Sequence, residues 1–264
     1  MACNVAAIGL HERGVTHVVG PGGGLDHHQE RNPQMSTPIA RHITEEQKNQ
    51  YHREGYFLPE KVTPDEQLEK LRAECDHHVN EQNAEMDRLG VDELDLSRRN
   101  SRYFVFLPYK NRPQLAEFIF SDLMAEICRA TIGGEAMLFW EQFVIKGTDK
   151  KGVAFGWHQD FGYVDHTHKY YVNAWIPLDD VNEENGIIYI LPYSQAGARE
   201  KVEHKVLPGS NDRIGYFGDH PGIPMNCPAG SIAVFSITAF HRSGANNTNR
   251  LRRIYSIQFF PETV

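Results

Sequence analysis

Cysteine is scarce in this chain, and its few copies are widely separated. Only four occur in 264 residues, at Cys3, Cys75, Cys128 and Cys227, and they form neither a CxxC pair nor a zinc-ribbon spacing. Disulfide scaffolds and zinc-stapled folds need paired or clustered cysteines. The pattern therefore favours a reduced protein of the cytoplasm.

Long apolar runs and an excess of positive charge are also missing. No apolar stretch approaches the roughly 20 residues that a membrane helix needs, and residues 1–13 do not resemble a secretory signal. The formal net charge is −8 and the isoelectric point is near 5.9. These features give no reason to expect a membrane or a nucleic acid as partner, and they favour a small-molecule substrate.

What the chain does contain is the material of a large globular domain. Hydrophobic residues make up 40% of it and aromatic residues 11%, which is enough for a sizeable core. The N-terminal part differs, because the Gly20–Gly24 break and the polar stretch Asp26–Arg31 show no periodicity. We expect a disordered or extended segment over residues 1–40, with Met35 as an alternative start of the native chain, and one domain over residues 41–264.

Three stretches before residue 135 carry the signals of helices. Thr44 and Gln47 form a capping-box pattern at the start of the first, and Gly55 ends it. The second begins at Thr63-Pro64 with proline at the first helical position, and the third is predicted from Pro113 through Ala130. Apolar residues recur every three to four positions, which predicts faces packed against a sheet. These residues are Leu68, Leu71, Cys75 and Val79 in the second helix and Leu115, Phe118, Ile119, Leu123 and Ile127 in the third.

From Ala136 onward the pattern changes to short apolar or aromatic runs broken by turn residues. Glu184-Asn185-Gly186 and Pro228-Ala229-Gly230 mark two of the tight turns. The predicted strand runs are 137–146, 153–158, 170–178, 186–192, 213–217, 231–236 and 251–260. Helices followed by seven or eight strands predict a mainly β protein with N-terminal helices. Its fold would be a double-stranded β-helix, a cupin-like jelly roll buttressed by those helices.

The segment His158-Gln159-Asp160 is the most informative part of the sequence. If residues 155–160 are extended, His158 and Asp160 point to the same side and can bind one ion together. His241, near the end of the β-rich region, offers a third ligand. Two histidines and one carboxylate on one face of a metal are the arrangement of the non-haem Fe(II) oxygenases. The alternative is a surface pair and an unrelated core histidine.

Two further features favour the metal interpretation. Arg252 opens the last apolar strand, where a guanidinium is costly to bury without an anion, and it is a natural partner for the carboxylate of an organic co-substrate. Strand alternation allows only one of Arg252 and Arg253 to face inward. Trp175 lies within a strongly apolar strand, where we expect it to form a pocket wall.

Motifs in a fixed order along the chain make a family comparison specific. They are Trp157-His158-Gln159-Asp160, Asn173–Asp180, Glu184-Asn185-Gly186, Leu191–Ser194, Gly230-Ser231, His241–Asn246 and Arg252-Arg253. In order and spacing, over residues 43–260, the chain resembles the phytanoyl-CoA dioxygenase family of Fe(II)/2-oxoglutarate oxygenases. It departs from the family at Pro192–Gln195, where Pro-Gly-Ser-His is usual in a loop near the pocket mouth. The substrates of close relatives therefore do not carry over.

The resemblance implies that His158, Asp160 and His241 hold Fe(II), with O2 and 2-oxoglutarate on its open face. The reaction would hydroxylate an unactivated C–H bond of a small metabolite and release succinate and CO2. Relatives that halogenate replace the carboxylate with a small residue, so Asp160 favours hydroxylation, although desaturation, epoxidation and cyclisation use the same site. The alternatives are a cupin-type metal enzyme that does not use 2-oxoglutarate and a non-catalytic binding module on the same fold.

The resemblance also implies which residues bind 2-oxoglutarate. The spacing in relatives favours Arg252 over Arg253 as the partner of the distal carboxylate, and the Ser243 hydroxyl would donate to the same group. Trp175 would form a wall beside the co-substrate. Gln142 would hold it as well, unless this glutamine is a solvent-facing residue of its strand.

The substrate side of the site is less defined by the sequence. Arg98, Arg99 and Arg102 precede an aromatic run and would meet an anionic substrate or 2-oxoglutarate, unless they form a solvated charge cluster. Candidates for the substrate mouth flank the metal motif. They are Phe155, Phe161, Tyr163, His166 and His168. No pattern in the sequence indicates an oligomeric state.

Overall fold

The structure is a computed structural model, and it describes most of the chain after residue 41. The described residues are 6–8, 42–134, 136–149, 154–163, 172–207 and 212–261. Of the segment predicted over residues 1–40, only Ala6–Ile8 falls among them, and the rest of that prediction lies outside the described residues. The predicted mouth residues His166 and His168 lie outside them too.

Five α-helices occur in the described ranges, mostly before the β-rich part of the chain. They are α1 (Glu45–Glu54), α2 (Asp65–Leu89), α3 (Ala116–Ile119), α4 (Asp122–Thr131) and α5 (Tyr193–Ala196), and 3₁₀ turns occupy Pro108–Lys110, Pro113–Leu115 and Asp160–Tyr163. Among these described helices, none combines the length and the apolar character that a bilayer crossing requires.

Fifteen strands in the described ranges carry most of the long-range pairing. The first seven are β1 (Ala6–Ile8), β2 (Tyr56–Phe57), β3 (Glu93–Leu94), β4 (Ser97–Arg98), β5 (Arg102–Phe106), β6 (Ala136–Lys146) and β7 (Phe155–His158). The others are β8 (Val172–Pro177), β9 (Ile188–Leu191), β10 (Lys205–Val206), β11 (Arg213–Ile214), β12 (Ile223–Pro224), β13 (Ala233–Ser236), β14 (Phe240–Ser243) and β15 (Arg252–Pro261).

The strands form two main antiparallel sheets. The larger has the order β2-β13-β8-β15-β6-β5-β4-β3, with β1 paired to β6 outside this path. The smaller has the order β12-β9-β14-β7, and β10 pairs with β11 alone. The prediction of a mainly β protein with N-terminal helices and a jelly-roll type of fold is confirmed.

Two hydrophobic layers flank the larger sheet, because alternate residues of its strands point to opposite sides. On one side, Tyr255 and Ile257 of β15 pack with Leu71 of helix α2. On the other side, Ile254 of β15 packs with Ile190 of the smaller sheet. The N-terminal helices therefore cover one face of the larger sheet, and the space between the two sheets is left for a cavity.

Helix α1 begins and ends where the sequence predicts. Thr44 Oγ1 accepts from the backbone N–H of Gln47, and Gln47 Oε1 accepts from that of Thr44, which completes the capping box. Gly55 closes the helix in the left-handed conformation, with φ of 84°. Helix α2 starts one residue later than predicted, because Pro64 precedes its first helical residue, Asp65. All the apolar residues predicted to face the sheet in the second and third helices are buried.

The prediction of one helix from Pro113 through Ala130 is wrong, because the segment consists of a 3₁₀ turn, Pro113–Leu115, and the two helices α3 and α4. Ser121 has extended backbone angles, φ −71° and ψ 160°, and its side chain accepts from the N–H of Met124. This is the geometry of an N-cap, so the chain starts a new helix there. The apolar periodicity continues through the break, which is why the pattern alone does not reveal it.

Each predicted strand run contains a strand, but β14 is not predicted. Its four residues, Phe240-His241-Arg242-Ser243, mix polar and apolar types without clear alternation. The strand forms because β7 and β9 pair with it on both sides. Tertiary pairing therefore places His241 within the smaller sheet, between β9 and β7.

The Glu184-Asn185-Gly186 turn carries the chain from one sheet to the other. It lies between β8 of the larger sheet and β9 of the smaller one. Gly186 has φ of 89°, which favours glycine, and a Cβ there would meet the Gly244 carbonyl oxygen at 2.9 Å. This crossover brings β8 and β9 to opposite sides of the same cavity.

Candidate metal centre

The chain bends within the His158-Gln159-Asp160 segment. Strand β7 ends at His158, inside the predicted strand run 153–158, and Asp160 begins a 3₁₀ turn, so residues 155–160 are not extended throughout. The two side chains nevertheless converge, since ligand atoms of His158, Asp160 and His241 all lie within 4.8 Å of one another. The bend, rather than strand alternation, brings the carboxylate to the histidines.

The bend is held by the buried side chain of Gln159. Its Nε2 donates to the carbonyl oxygens of Thr238 at 2.7 Å and Glu200 at 3.0 Å, and its Oε1 accepts from the N–H of Val202 at 3.0 Å. The backbone N–H of Gln159 donates to His204 Nε2 at 3.0 Å. Sequence reasoning missed this role, because a polar residue between two candidate ligands gives no signal of burial.

His241 faces His158 across the β7–β14 pair. The two residues are direct partners in the antiparallel register, and their ring centroids are 4.2 Å apart. His241 Nε2 lies 3.5 Å from Asp160 Oδ1. Three strand or turn ends therefore present two imidazoles and one carboxylate to a single point, as the sequence predicts.

Each histidine is oriented by a carbonyl oxygen two residues earlier in the chain. His158 Nδ1 lies 2.8 Å from the Gly156 oxygen, and His241 Nδ1 lies 3.2 Å from the Ala239 oxygen. A carbonyl only accepts, so each Nδ1 carries a proton, and in the neutral ring Nε2 is then the nitrogen with the free lone pair. Burial, and then the nearby His241 ring, lower the pKa of His158. Neutral imidazoles with free Nε2 atoms fit a divalent metal.

Two amides bind the outer oxygen of Asp160. Asn173 Nδ2 donates to Asp160 Oδ2 at 2.8 Å, and Gln258 Nε2 donates to the same atom at 3.1 Å. Ser256 Oγ donates to Asn173 Oδ1 at 2.9 Å, which fixes the orientation of that amide. Oδ1 is thereby directed toward His241, in the manner of a metal ligand whose second oxygen is held by the protein.

Arg252 and Arg253 lie on opposite faces of β15, as strand alternation requires. Arg253 binds Asp179 at 2.6 Å and Asp76 at 2.8 Å on the helix-covered side. Arg252 points between the sheets and is only 2% exposed. Of the two arginines, Arg252 is therefore the one that faces inward, and its role as partner of a co-substrate carboxylate stays a prediction.

The Arg252 guanidinium is buried with few partners among the described residues. Its Nη1 lies 3.5 Å from the Val144 oxygen, its Nε has no hydrogen-bond partner there, and its carbon lies 5.9 Å from the centre of the Trp175 ring. Burial lowers the pKa of Arg252 to about 10. A buried cation with an unsatisfied donor fits an anionic ligand beside it.

Ser243 extends the same side of the cavity, two residues after His241 on β14. It is buried, and its Oγ accepts from Lys146 Nζ at 2.8 Å. Lys146 also donates to the Gly244 carbonyl oxygen. Sequence reasoning missed Lys146, although a lysine at the end of an apolar strand is an unusual feature that could have drawn notice.

The histidines, Asp160 and Arg252 line one cavity of about 140 Å³ between the sheets. Trp175, Ser243 and the half-buried Gln142 line it too. Its side-chain oxygen accepts from Trp140 Nε1 at 3.3 Å. Phe104 and Phe155 add aromatic edges to the wall, with ring centroids 6.2 Å apart.

Several residues predicted near the substrate lie elsewhere. Arg98 pairs with Glu93, Arg99 pairs with Asp87 and Asp92, and Arg102 donates to the Leu96 oxygen. None of these three arginines lines the described cavity, although the guanidinium carbon of Arg102 lies 5.8 Å from the centre of the Phe104 ring, which does. Phe161 and Tyr163 follow Asp160 in the 3₁₀ turn, and only Phe155 of the described flanking residues lines the cavity.

The divergent Pro192–Gln195 loop also lies apart from the described cavity lining. Tyr193 begins the short helix α5, and its hydroxyl bonds Thr238 Oγ1 at 2.7 Å. Its ring packs where Gly55 leaves room, since a Cβ on Gly55 would meet that ring at 2.7 Å. The loop therefore joins helix α1 to the smaller sheet instead of bordering the metal centre.

Comparison with known proteins places this geometry in a family. The family model for phytanoyl-CoA dioxygenase matches residues 51–254. The chain is 22% identical over 231 residues to a probable alpha-ketoglutarate-dependent hypophosphite dioxygenase of Stutzerimonas stutzeri, a match that covers 81% of this chain and 77% of that protein. It is 19% identical over 230 residues to the peroxisomal phytanoyl-CoA dioxygenase of Mus musculus, covering 82% and 68%.

A solved structure shares the fold. The crystal structure of EvdO2 from Micromonospora carbonacea var. aurantiaca, complexed with 2-oxoglutarate, superposes with a TM-score of 0.63 at 19% identity, covering 83% of this chain and 91% of that one. The matched family region includes all of the converging ligand residues described above. The chain belongs to the phytanoyl-CoA dioxygenase family and is a non-haem Fe(II)/2-oxoglutarate-dependent oxygenase.

Proposed function

We propose that the protein hydroxylates an unactivated C–H bond of a small molecule, with release of succinate and CO2. The observation that carries this proposal is one cavity that joins two unlike sites. Ligand atoms of His158, Asp160 and His241 converge at one end. At the other end lies the buried guanidinium of Arg252, whose Nε has no hydrogen-bond partner among the described residues. A metal-chelating dicarboxylate matches both ends.

In this proposal His158, Asp160 and His241 hold Fe(II). Their carbonyl and amide partners fix the ring tautomers and the carboxylate before the metal arrives, which lowers the cost of ordering the ligands. Bound iron would supply the activation of O2 that is coupled to 2-oxoglutarate decarboxylation. Because all three ligands lie on one side, the other positions stay open to small molecules.

The co-substrate would lie along the cavity wall. Arg252 would bind its distal carboxylate through charge-assisted hydrogen bonds, and the Ser243 hydroxyl would donate to the same group. Trp175, which packs beside the guanidinium, would cover one face of the carbon chain. Gln142 would contact the co-substrate from β6. Together these residues would exclude water and set the direction from which the substrate approaches the metal.

The outcome of the reaction and the substrate class follow from two features. Asp160 keeps a carboxylate on the metal, which favours hydroxylation over halogenation. The apolar edges of Phe104 and Phe155 at the cavity favour a small substrate with an apolar portion near the metal. We also propose a cytoplasmic location, supported by the free thiols of the three described cysteines, Cys75, Cys128 and Cys227.

The test is 2-oxoglutarate turnover by the purified protein. With Fe(II), ascorbate and O2, we expect succinate to form slowly alone and faster with a true substrate from a small-molecule panel. Binding of 2-oxoglutarate without succinate from any panel member would favour the non-catalytic module. Metal binding without 2-oxoglutarate binding would favour the cupin-type enzyme that does not use it.

Substitutions test the assignment of His158 and Asp160 as metal ligands. H158A and D160A should each abolish iron binding and succinate formation. H77A is the matched control, since His77 belongs to another described group of converging ligands, with His78 and Glu81 on helix α2. It should bind iron at the centre like the wild type. Normal turnover by either H158A or D160A would overturn the assignment.

A further inference from the structure

Lys146 and Arg252 place two buried cations side by side at the distal end of the cavity. Lys146 is the last residue of β6 and Arg252 the first of β15, and they are direct partners in the antiparallel register. Each is only 2% exposed. Directly opposite residues of an antiparallel pair extend from the same face of the sheet, so the two charged side chains share one region.

This pairing is unfavourable unless an anion lies nearby. Like charges directly opposite each other destabilise a sheet, and burial adds the cost of removing each charge from water. Among the described residues, no carboxylate forms an ion pair with Lys146 or Arg252. Burial, and then the charge of Arg252, lower the pKa of Lys146 well below its usual value, and an anion bound beside the two side chains would favour the ammonium form again. The repulsion between these two side chains and their removal from water destabilise the folded protein, and a bound anion would offset that free energy.

Lys146 acts on the cavity through the hydroxyl of Ser243. Its ammonium donates to Ser243 Oγ at 2.8 Å and to the Gly244 carbonyl oxygen. An ammonium only donates, so Ser243 uses an oxygen lone pair for Lys146 and keeps its own proton for another acceptor. Ser243 lines the cavity. Lys146 thus orients the Ser243 hydroxyl so that it can donate its hydrogen bond toward the space beside Arg252.

The stem of Lys146 is fixed by its packing. Its ammonium lies 5.3 Å from the centre of the Phe155 ring. A Cβ on Gly186 would meet Lys146 Cδ at 3.0 Å, so glycine at that turn leaves room for the lysine stem. A long flexible side chain is thereby held in one place, which is what a positioning residue needs.

We propose that Lys146 is a positioning residue that turns the distal end of the cavity into a two-cation site selective for 2-oxo dicarboxylates. It orients the Ser243 hydroxyl and adds a second positive charge behind Arg252. The proposal rests on the proposed function, since it assigns a further residue to the same co-substrate site. It predicts discrimination between 2-oxoglutarate and 2-oxo monocarboxylates such as pyruvate, which chelate a metal alike but lack the distal carboxylate.

The test compares two ligands on one variant. Calorimetric titration of Mn(II)-loaded protein measures the affinity for 2-oxoglutarate and for pyruvate without any turnover. K146M should weaken 2-oxoglutarate binding roughly ten- to a hundredfold, as expected for a lost charge-assisted contact, and change pyruvate binding by less than about twofold. S243A should weaken 2-oxoglutarate binding less than K146M does. In the double variant K146M/S243A, the loss of 2-oxoglutarate affinity should be smaller than the product of the two single losses, because the residues act together.

The controls separate this role from a structural one. R253M removes the same unit of charge from the other face of β15 and should leave both affinities unchanged. If K146M fails to fold, the same comparison of 2-oxoglutarate and pyruvate affinities is made on K146Q, which keeps a donor for Ser243 but carries no charge. Equal weakening of both ligands, or no change in either, would overturn the proposal. Failure of the wild-type protein to bind 2-oxoglutarate would instead contradict the proposed function, and the role of Lys146 would fall with it.

Discussion

Asn173 and Gln258 lie directly opposite each other on β8 and β15, and both donate to the same oxygen of Asp160. Cross-strand register thus delivers two amides to one carboxylate atom, while the other atom stays directed at the histidines. Neither amide carries a charge, so the carboxylate is oriented without being neutralised. The geometry of the metal site therefore depends on side chains of β8 and β15 as well as on its three candidate ligands.

Loss of one amide should therefore weaken metal binding. N173A leaves Asp160 Oδ2 with a single donor, and we expect the affinity for Fe(II) or Mn(II) to fall by about ten- to a hundredfold. Anaerobic calorimetric titration measures the effect. S256A is the control, because it removes only the bond that orients Asn173 and should cost less. Unchanged metal affinity in N173A would show that the amides have no part in the site.

Substitution of Arg252 should change 2-oxoglutarate affinity, whereas substitution of its neighbour Arg253 should change the free energy of unfolding. R252M should weaken 2-oxoglutarate binding by roughly 1.5–3 kcal/mol, the range for hydrogen bonds to charged groups, while metal affinity is kept. The apo protein should be no less stable, since an unpaired buried cation is removed. Equilibrium titration and urea unfolding provide the two measurements.

R253M is the matched control for R252M. It breaks the ion pairs with Asp179 and Asp76 and should lower the free energy of unfolding without changing 2-oxoglutarate affinity. If R253M lost 2-oxoglutarate binding and R252M kept it, Arg252 would not be the co-substrate residue.

Gln159 should be needed for both stability and metal binding. Q159L has a similar size but removes the side-chain partner of the buried Thr238 carbonyl, of the partly buried Glu200 carbonyl and of the Val202 N–H. We expect the free energy of unfolding to fall by about 2–4 kcal/mol, with weaker metal binding because the bend before Asp160 loosens. Urea unfolding of the metal-free protein measures the first effect. Q195L, at an exposed glutamine, should stay within about 0.5 kcal/mol of the wild type.

Glu141 should make stability depend on pH. Burial raises the pKa of Glu141 from 4.5 to about 7, although it accepts hydrogen bonds from Tyr255 and Tyr109. Between these values the folded state binds more protons than the unfolded state, so the free energy of unfolding falls as pH rises from about 4.5 to about 7. The expected total is on the order of 3 kcal/mol.

Substitution isolates this contribution. E141Q removes the titrating group and should flatten the decline in stability over that pH window, as followed by urea unfolding at several pH values. E117Q, at an exposed carboxylate on helix α3, should keep the wild-type slope. An unchanged slope in E141Q would mean that other groups set the pH dependence.

Local sequence patterns predict the features that depend on near neighbours. The capping box at Thr44 and Gln47 requires only residues three apart, and it occurs as predicted. Strand alternation predicts that only one of Arg252 and Arg253 faces inward, and the structure shows that this residue is Arg252. By contrast, the break at Ser121 is hidden, because a serine within an apolar helical period is compatible with both a cap and a continuous helix.

The sequence by itself determined the residue types that can bind a metal and an anionic co-substrate, their order along the chain, and the β-rich class of the fold. These follow from chemistry and from periodicities of a few residues. Only the tertiary structure decided that Gln159 bends the chain to deliver Asp160, that Asn173 and Gln258 hold its outer oxygen, and that Lys146 stands beside Arg252. The physical reason is that each of these contacts depends on strand register and crossovers between residues that are distant in sequence.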